Sequence, residues 1–272
     1  MAVDIRAGTV IRRFRVSGSP HNITVAHDGT VAAALPDVRR VALIRKGRVR
    51  EVELGGRPHD VKPWGAFVVV ANEGASAIQV VSTKGRIART IRLLAEPHDL
   101  APSNRTTTVW ASLNENDELA AVEPGGGREP RYIPTGESPH DLLFGPWRGR
   151  LWVTGWDGEV HVFSARGRLL RTLRLGLEAH HLAFRPDGSQ VWITDHEARR
   201  LFVVDTKNFE LLASFALKGA PHHVAMTLGG TRAVVADHNR GALLIFDTVR
   251  LRRVGRIPVG EGPHGVWAGP TQ

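Results

Sequence analysis

The stretch that decides the fold runs Ala179-His180-His181-Leu182-Ala183-Phe184, then Pro186-Asp187-Gly188, Gln190-Val191-Trp192-Ile193-Thr194-Asp195, Leu201-Phe202-Val203-Val204-Asp205 and Glu210–Leu217. It contains four short runs rich in β-branched and aromatic residues, separated by turn chemistry, and none has a helical period. The same order returns on both sides. One neighbour reads His222-His223-Val224-Ala225-Met226, Arg232–Asp237, Ala242–Asp247 and Arg252–Val259. Another reads His59-Asp60-Val61, Phe67–Asn72, Ala77–Ser82 and Arg86–Leu93.

Each unit opens on a motif that occurs seven times: Pro20-His21-Asn22, Pro58-His59-Asp60, Pro97-His98-Asp99, Pro139-His140-Asp141, Ala179-His180-His181, Pro221-His222-His223 and Pro263-His264-Gly265. An aliphatic residue follows every time, and the motif histidines stand 38 to 42 residues apart. Four strands per unit at that period describe an all-β propeller, with strand A of each blade on the central channel and strand D outermost. The expectation is a single propeller domain over residues 1–272. Six units are complete; left over are the final motif at His264 and an N-terminal piece, Val3–Ile5 and Val10–Val16, that resembles strands C and D. Pairing the two chain ends in one blade removes a free edge, so seven blades are expected, with six plus extra terminal strands as the alternative.

Composition narrows the class. No apolar run approaches 18 residues, the N-terminus lacks a leader-like apolar stretch, and cysteine is absent, which fits a cytoplasmic protein. The net charge of +9 raises nucleic acid as a partner. The basic residues, however, cluster on last strands, as in Arg166, Arg168, Arg171 and Arg174 or Arg250, Arg252, Arg253 and Arg256. That pattern reads as a solvated rim that resists edge pairing. No specific nucleic acid and no membrane partner is expected; a monomer acting on a small molecule is.

The repeat resembles the YVTN/NHL-type propellers and, most of all, the streptogramin (virginiamycin B) lyase family. The resemblance is carried by the Pro-His entries, Asp187-Gly188 and Val191-Trp192-Ile193-Thr194-Asp195 with Leu201–Asp205. A second likeness is to peptidyl amidating lyase, whose zinc is held on the axis by strand-A histidines. These resemblances imply a lyase in which a histidine acts as base and a divalent ion is held nearby. The positions that correspond most nearly are His222 or His223, Asp195, Glu197 and His238.

Reading the residues themselves places the site. The D–A and B–C connections of a blade emerge on one face, which therefore collects the motif histidines and the polar B–C loops. His21, His59, His98, His140, His180, His222 and His264 converge on the axis as candidate metal ligands, against the alternative that they only tie blades together. Blades five and six break the symmetry with His181 and His223, and with His196 and His238 beside Asp195, Glu197 and Asp237. Imidazole suits zinc, copper and iron, whereas carboxylates suit magnesium, so a divalent cofactor is expected without a choice among these four. His181, His196 and Asp195 join the candidate ligands. His222, His223, His238 and Glu197 are the candidate catalytic groups, and Trp156, Asp60, Asp99 and Asp141 would line the substrate pocket. His27 and His161 are expected on the surface. Trp110, Trp152 and Trp192 share one strand-B position and are expected in the inter-blade core. The reading is a metal-dependent lyase at the channel mouth; the alternatives are a non-catalytic metal- or ligand-binding propeller and a protein-interaction scaffold.

Overall fold

The computed structural model describes residues 1–269. Six four-stranded antiparallel sheets follow one another along the chain, over residues 23–53, 58–92, 100–134, 139–174, 179–216 and 221–258. We call them blades one to six, with strands A to D in chain order. The only helical elements among the described residues are three 3-10 turns of three residues each, all in B–C connections. No helix is long and apolar enough to cross a membrane.

The expected seventh blade is absent. At the N-terminus β1 (Ala2–Asp4) pairs only with β2 (Thr9–Arg12), as a two-stranded sheet. Among the described residues the segment around His264 forms no strand and pairs with neither β1 nor β2. The physical reason is a missing neighbour: a strand exists through its ladder, and nothing fills the strand-B position between this segment and β1. Gly265 instead donates its N–H to the His21 carbonyl at 3.1 Å, which ties the C-terminal segment to blade one. Val3, Ile5, Val10 and Val266 pack against the core of blade six.

Burial follows the pattern of the sequence. Five apolar clusters each join two successive blades, as in the one where Trp152 of blade four meets Phe184, Val191 and Phe202 of blade five, and the sixth lies in blade six under the terminal segments. Trp110, Trp152 and Trp192 are all fully buried at these interfaces. The D strands are exposed and carry the arginines, as on Arg48–Glu53 and Leu169–Arg174.

One irregularity explains the motif. In blade four Pro139 faces Gly155 while Leu142 faces Val153, three residues against two. Blades two, five and six slip at the same place. On a regular strand the motif histidine and its successor would point to opposite sides; the bulge re-aims them. Both then reach the channel. Proline suits the first position because the opening residue of a strand can lack a ladder N–H.

Candidate functional site

The seven motif imidazoles form a closed ring around the channel. Successive centroids lie 4.2 Å (His21–His59), 3.7 Å (His59–His98), 4.6 Å (His98–His140), 4.1 Å (His140–His180), 4.3 Å (His180–His222), 3.7 Å (His222–His264) and 3.6 Å (His264–His21) apart. The ring has seven members although the fold has six complete blades, because the C-terminal segment supplies His264. Several rings are held by the next blade. His59 Nδ1 lies 3.0 Å from the His98 carbonyl, and His140 Nδ1 lies 3.1 Å from that of His180. A carbonyl only accepts, so in both rings Nδ1 carries the proton and Nε2 keeps its lone pair. His98 departs from this pattern: its Nδ1 sits 2.7 Å from Glu73, whose carboxylate also pairs with Arg57.

Crowding like charges away from water disfavours the charged form of six of the seven ring histidines. Burial, followed by the His98 charge, lowers His21 to about 4. Burial and His196 lower His180 to about 3, and burial and His21 lower His264 to about 2. His59, His140 and His222 are pulled down by the same two causes. Neutral imidazole is the form that binds metal.

Hydroxyl groups on strand B, which sequence reasoning missed, position the ring. Ser112, Thr154 and Thr194 donate to the carbonyls of His140, His180 and His222 in the next blade at 2.6 to 2.7 Å. Each also accepts the N–H of its own blade's second motif residue at 3.0 Å. The signal was present: blades three to five carry Ser or Thr where blades one, two and six carry Ala34, Ala71 and Ala236.

Beneath the ring lies a second layer made by the next residue of each motif, and it has two halves. On one side Asp60 and Asp99 are 0% exposed. Asn22 donates to both of them at 2.9 Å, and Lys62 Nζ reaches Asp60 at 3.0 Å. Burial works against the Lys62 charge, but Asp60, Asp141 and Asp99 outweigh it and raise its pKa. Burial, and then the charges of Asp60 and Asp141, push Asp99 well above the ordinary carboxyl range; burial lifts Asp141 to about 6. Asp60 and Asp141 each accept the backbone N–H of a neighbouring blade, Leu100 and Leu182, at 3.0 Å. These three acids, expected to line a substrate pocket, are therefore inside the channel and bound into its wall. On the other side His181 and His223 stack with centroids 3.4 Å apart.

The mouth gathers the asymmetric residues. His196 stands 5.4 Å from His180 and 5.5 Å from His222, and one nitrogen from each of the three lies within 4.8 Å of the others. His238 stands 5.5 Å from His222. Its Nδ1 meets the Pro263 carbonyl at 3.2 Å, which leaves Nε2 with a lone pair. Glu178, another residue the sequence did not single out, comes within 3.9 Å of His180 Nε2. Burial, followed by Asp195 and Glu197, raises its pKa. Trp156 is 45% exposed, with its ring 5.4 Å from His140, so it forms part of the rim. Asp195 takes a different part: its oxygens accept the N–H groups of Leu177, Glu178 and Ala198, which join the D–A and B–C loops. Glu197 is exposed. His27 is exposed as expected, but His161 is buried beside Thr172, 3.0 Å from its hydroxyl. The clusters of potential metal ligands combine adjacent blades, such as His140 with His180 and His181, or His98 and Asp99 with His140. A cleft of about 650 Å³ between the N-terminal hairpin and blade six, lined by Arg6, Arg232 and Arg256, contains no histidine.

The family model of YNCE-like β-propellers matches residues 67–270, which is 204 of 272 positions. The chain belongs to that family. The YncE protein of Escherichia coli (strain K12) is 27% identical over 184 residues, 58% of this chain and 52% of that protein. The match thus spans about half the length of this relative of the YNCE-like family. Among solved structures, virginiamycin B lyase from Staphylococcus aureus superposes with a TM-score of 0.81 at 15% identity, covering 92% of this chain and 89% of that one. Kuenenia stuttgartiensis hydrazine synthase superposes with a TM-score of 0.79 at 19% identity, covering 93% of each chain. At such identities these two likenesses bear on the fold of this YNCE-like propeller.

Proposed function

We propose that this protein is a divalent-metal-dependent enzyme of the lyase class, acting on a small molecule at the mouth of its channel. One observation carries the reading: His180, His196 and His222 bring three imidazole nitrogens within 4.8 Å of one another at the mouth. Three neutral imidazoles with a side open to solvent form a ligand set that leaves room for substrate. A bound ion supplies Lewis-acid polarisation of a substrate oxygen. The chain's own groups do the rest. His238, with Nδ1 tied to Pro263, offers Nε2 as the base that removes a proton. Glu178, its pKa raised by burial, stands 3.9 Å from His180 as the group to protonate the departing atom. Trp156 presents a flat apolar wall over His140.

The likeness of fold to virginiamycin B lyase supports the reaction class, as does a solved variant of that enzyme, inactivated by replacing a histidine with alanine and determined with quinupristin. His223 stacks on His181 in the layer beneath the ring, away from the His196 and His238 loops of the mouth. A second reading, a metal-binding propeller without turnover, is favoured by the commitment of Asp195 to backbone donors.

The test is elemental analysis of protein purified without a histidine tag or chelator, beside His196→Ala and His238→Gln. Metal should be present in the parent and in His238→Gln, and reduced in His196→Ala. Quinupristin is the first substrate to try, with loss of the intact macrocycle followed by mass spectrometry. A parent that neither retains nor takes up metal ends this reading.

A further inference from the structure

The second layer contains a contrast that the mouth site does not explain. Asp60 and Asp141 have a structural task, because each accepts a backbone N–H from another blade. His181 and His223 occupy the same motif position in blades five and six, yet neither performs that task. They are 2% and 9% exposed, and the Nε2 of each is buried with no hydrogen-bond partner. An unmet buried polar atom costs about 1–3 kcal/mol, and native structures hold few of them. Two such atoms lie on rings that stack 3.4 Å apart. His222 completes the group: one nitrogen from each of His181, His222 and His223 lies within 4.8 Å of the other two.

Asp141 prepares the group from behind. Its carboxylate lies 3.2 Å from His181 Nδ1, while Nε2 of the same ring has no partner. A carboxylate behind an imidazole is the arrangement that fixes the tautomer and raises the basicity of a metal ligand. On this basis we infer that His181, His222 and His223 form a second, inner metal site selective for a borderline first-row divalent ion such as Zn²⁺, Ni²⁺ or Cu²⁺. Three nitrogen donors with no carboxylate among them disfavour Mg²⁺ and Ca²⁺, which take oxygen. The inner trio shares only His222 with the mouth trio; filling both sites at once makes the His222 ring a bridging imidazolate, with its N–H proton released to solvent. The inference goes beyond the lyase reading and does not need turnover.

The experiment is Zn²⁺ titration of the chelator-stripped full chain, with bound metal counted by elemental analysis after desalting. His223→Phe is the inner variant, chosen because it removes both ring nitrogens, of which the buried Nε2 has no partner to lose. His196→Ala is the mouth variant. The parent should take about two equivalents, and each variant about one. Excess Mg²⁺ should displace neither. The inference is overturned if His223→Phe binds as much Zn²⁺ as the parent, or if the parent binds a single equivalent that His196→Ala abolishes. If His223→Phe loses one equivalent while His196→Ala keeps two, the inner site stands and the mouth reading falls. Should His223→Phe fail to fold, the parent decides: Cu²⁺ added beyond the first equivalent should give a second nitrogen-ligated electron paramagnetic resonance signal, and its absence overturns the site.

Discussion

Blades two to four and blades five and six place different chemistry at one backbone position. After the motif histidine the first group carries Asp60, Asp99 and Asp141, and the second carries His181 and His223. The acids bind the ring together through Lys62, Asn22 and backbone N–H groups. The histidines bind nothing across that layer except Asp141 and each other. A repeat protein thus separates two tasks within one motif: where the successor is acidic the site holds blades in place, and where it is histidine the nitrogens remain available.

Acid should break this arrangement with the largest effect. His21, His180 and His264 have folded-state pKa values of about 4, 3 and 2, below the usual 6.5. The unfolded chain therefore binds more protons than the folded chain below pH 6.5, and stability falls as pH falls. Each histidine costs about 1.4 kcal/mol per pH unit, down to its folded value. Asp141, raised to about 6, works the other way: its contribution is present at low pH and lost as pH climbs from the ordinary carboxyl value to 6. Asp99, Glu178 and Asp237 are raised as well and act as Asp141 does, but ten histidines are lowered, so the metal-free protein is acid-labile and should unfold before about pH 4. Tryptophan fluorescence against pH, with chelator present, reads this directly. A chain that keeps its native spectrum at that pH would show that the histidines are not buried as neutral groups.

Asp60→Ala sharpens the comparison from the acidic side. It strips Lys62 of its nearest partner and leaves Asn22 and the Leu100 N–H short of an acceptor. Breaking one partner out of a buried ion pair costs about 3–5 kcal/mol. Urea unfolding should show a loss of that size, and a loss under about 1 kcal/mol would remove the structural part assigned to the acids.

Thr194→Val tests the support beneath the histidine half. It deletes the hydroxyl that donates to the His222 carbonyl at 2.7 Å and accepts from the His181 N–H at 3.0 Å. An expected cost of about 1–3 kcal/mol follows from leaving these buried groups unmet, and metal affinity should fall with it. Unchanged stability and unchanged Zn²⁺ affinity would mean the hydroxyl row does not position the ring.

The smallest effect on stability belongs to His223→Phe. It replaces a ring whose buried Nε2 has no partner with one of similar shape, so the metal-free chain should lose less than about 1.5 kcal/mol. The contrast with Asp60→Ala is the point. If the two substitutions cost the same in metal-free protein, the halves of the channel do not differ as argued.

The sequence alone determined the period, the four strands of each unit and the convergence of the motif histidines. All three follow from local signals: alternating apolar residues, turn residues at fixed offsets, and a tripeptide that returns every 38 to 42 positions. It also pointed to His196 and His238, because they break the symmetry. Only the tertiary structure decided the rest. Whether the remnants at the two ends make a blade depends on a ladder partner, and none is present, so six blades form where seven were expected. Asp195 and Glu197 look alike as loop carboxylates, yet one is enclosed by three N–H groups and the other faces solvent. The charge states of Glu178 and Lys62 depend on groups distant in sequence as well as near, Asp195 for the first and Asp99 and Asp141 for the second. A side chain's chemistry is written in its type; its partners, and so its charge and task, are set by what the folded chain brings beside it.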